Sequence, residues 1–255
     1  MNKLVIGYFY PEQLNLYGDQ GNVEILCSRA AKRGIEVEVL EIGVDTDLSA
    51  KTMQRINLIF MGGGPDSGQV QVYNDLIKNR APFLKDFVEG GGVGLYVCGS
   101  YQLLGEYYKS AEGSVLEGLG VFGLYTQHFG NDKPRCVGNV VCEINPTLLE
   151  DDVFKAVNKV GNTLVGFENH GGRTYPNKCA PLAKIVVGHG NNSEDGTEGV
   201  HYKNSVGTYL HGPILSKNPH LADFLIAKAN GCGDLPSLDD FLVVSAHTAS
   251  KKLKQ

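Results

Sequence analysis

No stretch of this 255-residue chain approaches the roughly 20 consecutive apolar residues that a helix needs to cross a bilayer. Basic residues are not in excess either. With 23 Lys and Arg against 28 Asp and Glu, the formal net charge is −5, which gives no electrostatic reason to expect nucleic acid or an anionic membrane as a partner. The six cysteines (Cys27, Cys98, Cys136, Cys142, Cys179 and Cys232) form no Cys-x-x-Cys pair and no Cys/His set with zinc spacing. Five of them read as small core hydrophobes of a reducing compartment. His189 and His201 enclose Glu194, Asp195 and Glu198 without a strict ligand pattern, so 188–196 reads as a solvated hairpin tip and not a metal loop. There is no Gly-x-x-x-x-Gly-Lys-Ser/Thr loop, and Gly62-Gly63-Gly64-Pro65 lacks the lysine of a nucleotide cradle. The N-terminal apolar stretch is too short for a signal peptide and reads as a first strand, so the expected location is cytoplasmic. No repeat, low-complexity tract or Pro/Ser linker divides the chain. One domain over 1–235 follows, with a polar tail at 236–255 that is helical or frayed and solvated.

What the chain does contain is glycine, 33 in all, clustered between apolar runs. Strand-like runs at 3–10, 35–42, 57–61 and 93–98 alternate with helical periodicity at 23–33 and 69–89, the latter with Asp66 or Ser67 as a cap. That alternation predicts an α/β fold with a flavodoxin-like, doubly wound, mainly parallel sheet. From Gly118 onward, short runs at 118–125, 136–144, 164–168, 182–187, 199–202 and 205–211 predict added antiparallel strands. Asn218-Pro219 reads as cap and first position of a closing helix over 220–229.

The stretch Gly94-Leu95-Tyr96-Val97-Cys98-Gly99-Ser100-Tyr101-Gln102-Leu103-Leu104-Gly105 organises the rest. A buried strand changes at Cys98 to helical spacing, with Tyr101, Leu104 and Tyr108 on one side. A cysteine at such a turn stands clear of the sheet, facing the free amides of a helix, which favour thiolate. By itself it reads more readily as a structural core cysteine, and what overturns that reading lies elsewhere in the chain. An acyl-transferring thiolate also needs a base and oxyanion donors. His128, His170, His201 and His211 are the candidate bases. His211 ends the run Val206-Gly207-Thr208-Tyr209-Leu210-His211-Gly212-Pro213, which delivers it to the carboxyl edge of the sheet, where Cys98 also lies. The Gly99 amide offers one oxyanion donor and Gly64, or its neighbour Gly63, a second, with no side chain to keep the backbone away from the substrate.

The set Gly62-Gly63-Gly64, Cys98-Gly99-Ser100-Tyr101-Gln102 and Tyr209-Leu210-His211-Gly212-Pro213 resembles class I, triad-type glutamine amidotransferases of the cobyric-acid-synthase-like branch. The segments Leu14-Asn15-Leu16-Tyr17-Gly18-Asp19-Gln20-Gly21-Asn22 and Val165-Gly166-Phe167-Glu168-Asn169-His170-Gly171-Gly172-Arg173-Thr174 are similar to GatD-type glutaminase subunits of lipid II isoglutaminyl synthase. The likeness spans about residues 3–230. It implies Cys98 as nucleophile, His211 as base and acid, Gln102 near the bound L-glutamine, and Arg135 on its α-carboxylate, a two-pronged contact suited to a guanidinium. It also implies a separate MurT-like Mur ligase subunit that holds ATP and Mg²⁺ and amidates the D-glutamate α-carboxyl of lipid II, with no cofactor in this chain. Two departures stand out. Serine replaces the usual glycine at Ser100, and no glutamate follows two residues after His211, which leaves a Cys–His dyad or an orienting carboxylate from elsewhere, Glu168 or Asp19. His170 is the rival base. The alternatives are another elbow-cysteine hydrolase, or a catalytically silent domain that regulates a ligase.

Overall fold

The computed structural model describes residues 3–44, 46–130 and 132–253, with the Asp66 side chain outside the description. Four apolar runs form β1 (Lys3–Phe9), β2 (Glu36–Ile42), β3 (Leu58–Met61) and β4 (Val93–Val97). They join a six-stranded sheet in the order Val200–Tyr202, Ser205–Thr208, β4, β3, β1, β2, parallel throughout except for the antiparallel Val200–Tyr202 edge. β3, β4 and Ser205–Thr208 are buried at every position, because they lie in the middle of the sheet with both faces covered. β2, with sequence EVEVLEI, alternates charge with aliphatic residues and occupies the solvent edge.

The expected α/β, flavodoxin-like sheet is therefore present, and so are the added antiparallel strands. They build two four-stranded sheets. One runs Gly172–Pro176, Leu124–His128, Tyr107–Lys109, Val115–Glu117, and the other Thr197–Glu198, Ala183–Val187, Cys136–Ile144, Thr163–His170. The chain passes from the second of these sheets to the first at Gly171, between Thr163–His170 and Gly172–Pro176.

Several boundaries differ from the sequence reading. The helix after Cys98 is only Gly99–Leu103, so Tyr108 is not on its face. The Glu106 amide bonds the Leu124 carbonyl instead, and Tyr107–Lys109 starts a hairpin that periodicity had hidden. Residues 118–123 are a loop, and the strand begins at Leu124. The helix expected from 69 starts at Asp66, with Pro65 as N-cap, so Ser67 lies inside it and makes no capping bond; the Asp66 side chain is outside the described set. The same helix is interrupted by a π turn, Leu76–Arg80, before resuming as Ala81–Glu89. Asn218 precedes helix Pro219–Asn230 without capping it. Its side chain bonds Val165 and the Ile214 carbonyl, tying that helix to the neighbouring strand.

Two stretches read as solvated are so only in part: 193–196 and most of the tail are exposed, but each stretch also has a buried part. Asn191 and Asn192, in the presumed hairpin tip, are buried and hydrogen-bonded to Gly199 and to the Thr174 carbonyl. Within the tail, Phe241–Ser250 is a helix that docks on the body. Arg29, from α1 (Gln20–Ala31), grips Asp240 at 2.6 Å and Asp223 at 2.7 Å, and the buried His247 donates to the Lys217 carbonyl at 2.8 Å and meets the Thr163 hydroxyl at 2.9 Å. Leu242 and Phe241 of this helix stay exposed. Met1, Asn2, Lys254 and Gln255 fall outside the described residues. Among the described residues, no helix is long and apolar enough to cross a membrane.

Candidate active site

The parallel strands β1, β3, β4 and Ser205–Thr208 end on one edge, and each hands a loop to the same place. Cys98 follows β4 with φ 53° and ψ −106°, a conformation that costs a non-glycine residue on the order of 1–3 kcal/mol. The surroundings hold it there. Its amide donates to the Thr208 carbonyl at 2.8 Å, and its carbonyl accepts from the Gln102 amide at 3.0 Å. The Ser100 hydroxyl is wholly buried beside the Met61 carbonyl at 2.7 Å and the Val97 carbonyl at 3.0 Å. Serine at this position is thus a brace between the turn and β3.

His211 follows Ser205–Thr208 and is fixed by paired backbone hydrogen bonds to Phe167 at 2.7 and 3.2 Å. Its Nδ1 lies 3.1 Å from Asp19 Oδ1, and both side chains are fully buried. Asp19 Oδ2 accepts from the Gly63 amide at 2.7 Å. Because a carboxylate only accepts, Nδ1 carries the proton and Nε2 is turned to the Cys98 thiol, buried and without a fully formed hydrogen bond. Burial alone would lower the imidazole pKa, but Asp19 and Cys98 outweigh it and raise it to about 10. The absence of a side chain at Gly63 lets the three groups meet. A Cβ there would sit 2.9 Å from Cys98 Cβ, 3.0 Å from His211 Cε1 and 3.2 Å from Asp19 Oδ2. Tyr17, itself at φ 56°, closes the outer side with its ring edge-on to His211 at 5.0 Å.

Beside this line a cavity of about 360 Å³ reaches Cys98, Gly64, Gln102, Arg135 and His170. The Gly63 amide is taken by Asp19 and is therefore not free to meet a substrate oxygen, while Gly64 lines the cavity. Gln102 is engaged at both ends, accepting from Gln69 at 3.1 Å and donating to the Tyr209 hydroxyl at 2.9 Å. Arg135, half the chain's length from β1, lies at the cavity rim with Nε and Nη2 on the Asn169 side-chain and main-chain oxygens at 2.9 and 3.0 Å. His170 lines the cavity but is occupied elsewhere. Its Nδ1 donates to the Gly172 carbonyl at 2.8 Å, its ring stacks on Tyr209 at 3.7 Å, and burial pulls its pKa below the usual value despite Glu168 at 3.5 Å. Glu168 accepts from the His189 and Gly190 amides and does not reach His211. Of the two carboxylates weighed as orienting groups, the one beside the imidazole is Asp19. Sequence reasoning missed Gln69, Tyr209, Tyr17 and Asn169; the last three lie within the segments that carried the resemblance.

Several solved structures share this fold. One chain of PurLQS from Thermotoga maritima matches 89% of this chain and 97% of its own length at 16% identity, with a TM-score of 0.53. The glutaminase domain of Trypanosoma brucei CTPS matches 92% and 98% at 11% identity, with a TM-score of 0.55. The fold is that of class I glutamine amidotransferases.

The sequence places the chain more narrowly. Residues 5–219 match the CobB/CobQ-like glutamine amidotransferase domain, and the chain belongs to that family of enzymes. It is 43% identical over 229 residues, 90% of this chain and 85% of the relative, to the GatD subunit of lipid II isoglutaminyl synthase (glutamine-hydrolyzing) of Staphylococcus aureus. The corresponding GatD subunit of Streptococcus pneumoniae is 38% identical over 89% of this chain and 80% of its own length.

Proposed function

We propose that this chain is the glutaminase subunit of a lipid II isoglutaminyl synthase. It hydrolyses L-glutamine through a Cys98 thioester and passes the ammonia to a MurT-like ligase subunit. The reading rests on one observation above others, the continuous line from the Cys98 thiol through His211 to the buried Asp19 carboxylate. The near full-length likeness to two GatD subunits supplies the reaction context.

The raised pKa of His211 means that the proton given up by Cys98 is held on the imidazole. The sulfur attacks the side-chain carboxamide carbon, and the developing oxyanion turns to the Gly64 and Gly99 amides. The C–N bond then breaks as His211 gives its proton to the departing amine, releasing ammonia. The neutral imidazole next takes a proton from water, the resulting hydroxide displaces the thioester sulfur, and glutamate leaves. Arg135 at the rim holds the α-carboxylate, and Gln102, fixed by Gln69 and Tyr209, shapes the wall beside the substrate. Ammonia is protonated in bulk water, so the product is of use only to an adjacent ligase. That partner would hold ATP and Mg²⁺, activate the D-glutamate α-carboxyl of lipid II, and form D-isoglutamine, with the complex at the cytoplasmic side of the membrane.

A glutamine-mimicking diazoketone tests the proposal. With the ligase subunit present, it should add one covalent mass to Cys98. Absence of that mass would remove the glutaminase reading and leave a silent regulatory domain. His211→Ala should nearly abolish glutamate release while His170→Ala retains it, and the opposite result would exchange their roles.

A further inference from the structure

The corner at Gly171 gathers two hydrogen-bond donors that the reaction line does not use. Strand pairing sets His128 opposite Gly172 in one small sheet and Cys136 opposite His170 in the other. His128 and Arg135, the residue before Cys136, therefore flank Gly171 from two sides. A Cβ on Gly171 would lie 2.1 Å from His128 Nε2 and 3.2 Å from Arg135 Nη1, so only glycine lets the imidazole and the guanidinium come this close to the backbone and to each other. The same residues line the cavity that contains Cys98.

The hydrogen-bond roles at this corner are settled by the backbone. The Gly130 amide donates to His128 Nδ1 at 3.1 Å, so Nδ1 is the acceptor and the neutral ring carries its proton on Nε2, toward Gly171. On the other side, Asn169 occupies the Nε–Nη2 edge of Arg135 with its side-chain and main-chain oxygens. That clamp orients the guanidinium and leaves Nη1 facing the same opening as the His128 N–H. Two donors, one of them cationic, line the same cavity, and among the described residues neither of these N–H groups is hydrogen-bonded. Their chemistry fits a planar anion with two oxygens, one for each donor.

We infer that His128 is a specificity-determining residue that binds the substrate α-carboxylate together with Arg135, His128 Nε2–H serving one oxygen and Arg135 Nη1 the other. The inference rests on the glutaminase reading and deepens it. Asn169 then acts as a positioning residue for Arg135, and Gly171 provides the room.

The test is the kinetics of ammonia release by the complex with its ligase subunit, using L-glutamine and its α-amide, in which the carboxylate is replaced by a neutral carboxamide. His128→Ala should raise KM for L-glutamine by about tenfold while leaving kcat within about twofold, the pattern of lost uniform binding. KM for the α-amide should stay unchanged. His128→Gln, which restores an N–H donor, should recover most of the loss, whereas His128→Met, similar in size but without a donor, should not. That last pair keeps the test decisive if the alanine variant fails to fold. Equal KM values for wild type and His128→Met, or equal losses on both substrates, would overturn the inference. If the wild-type complex releases no ammonia from L-glutamine, it is the glutaminase reading itself that fails.

Discussion

Replacing Asp19 with asparagine changes no volume and leaves every other residue of the site in place, yet it removes the one group that sets the His211 tautomer. Asp19 accepts two hydrogen bonds, from Gly63 N–H at 2.7 Å and from His211 Nδ1–H at 3.1 Å. Asparagine has one acceptor for these two donors. The Gly63 amide has no alternative role, so the new Oδ1 goes to it and Nδ2 turns its hydrogens on His211 Nδ1. The imidazole must then accept at Nδ1 and carry its proton at Nε2, which presents a donor to Cys98 where an acceptor is needed. The opposite flip sets an N–H against the Gly63 N–H in a fully buried place and costs about 1–3 kcal/mol. Either way the negative partner is gone, and the His211 pKa falls from about 10 toward its ordinary 6.5.

Since general acid–base help is worth on the order of 10²–10⁴ in rate, Asp19→Asn should lower kcat for ammonia release by about 10³. KM should change little, as Asp19 lies behind His211 and does not line the cavity. The stability consequence has a definite sign. A histidine raised to about 10 stabilises the fold fully below pH 6.5, and that contribution is lost as pH climbs through 10. The difference in thermal stability between wild type and Asp19→Asn should therefore be widest near pH 6 and narrow toward pH 10. A variant with kcat within threefold of wild type and a parallel stability profile would refute the reasoning.

The remaining predictions concern residues around that line. Glu198 is wholly buried, and burial raises its pKa to about 7 against the pull of the Thr208 hydroxyl and Tyr209 amide. A carboxyl raised in this way is favoured in the fold only below its unfolded value of 4.5, and the advantage is lost as pH rises through 7. Glu198→Gln, which copies the neutral acid, should melt like wild type near pH 4.5 and become more stable by up to about 3 kcal/mol above pH 7, measured by thermal unfolding. Arg29→Ala strands Asp240 at the start of the last helix, while Arg33 still holds Asp223. It should destabilise by about 3–5 kcal/mol and speed amide exchange across 241–250. Gly171→Ala drives a methyl against His128 Nε2 and should raise KM for L-glutamine more than it lowers kcat.

The parts of this protein that were legible in its sequence are those governed by local rules. Cys98 follows β4 and His211 follows Ser205–Thr208, and in a parallel sheet the carboxyl ends of neighbouring strands share one edge, so strand order alone brings the two residues together. Asp19 was not separable from Glu168 on the same terms. Both are acids within motif segments, and what distinguishes them is a contact spanning 192 positions in one case and a pair of backbone amides from a neighbouring loop in the other. The misread helix has a similar cause. Tyr101, Leu104 and Tyr108 carry helical spacing, but Gly118 and Gly105 pack backbone to backbone, a Cβ on Gly118 falling 2.0 Å from the Gly105 carbonyl, and that closure sends the chain into a hairpin. At the C-terminus the error was one of averaging. A tail that ends in lysines reads as polar, while the helix within it docks through the buried His247 and through Asp240 at its start, not through the exposed Phe241 and Leu242. His128 and Arg135 fall in the same class as Asp19. Each looks like a loop residue in the sequence, and only the register of two different sheets turns them toward the same glycine. Residues carried by strand ends can be placed from the sequence, whereas those that orient or select do so through tertiary register, which the order of residues does not reveal by itself.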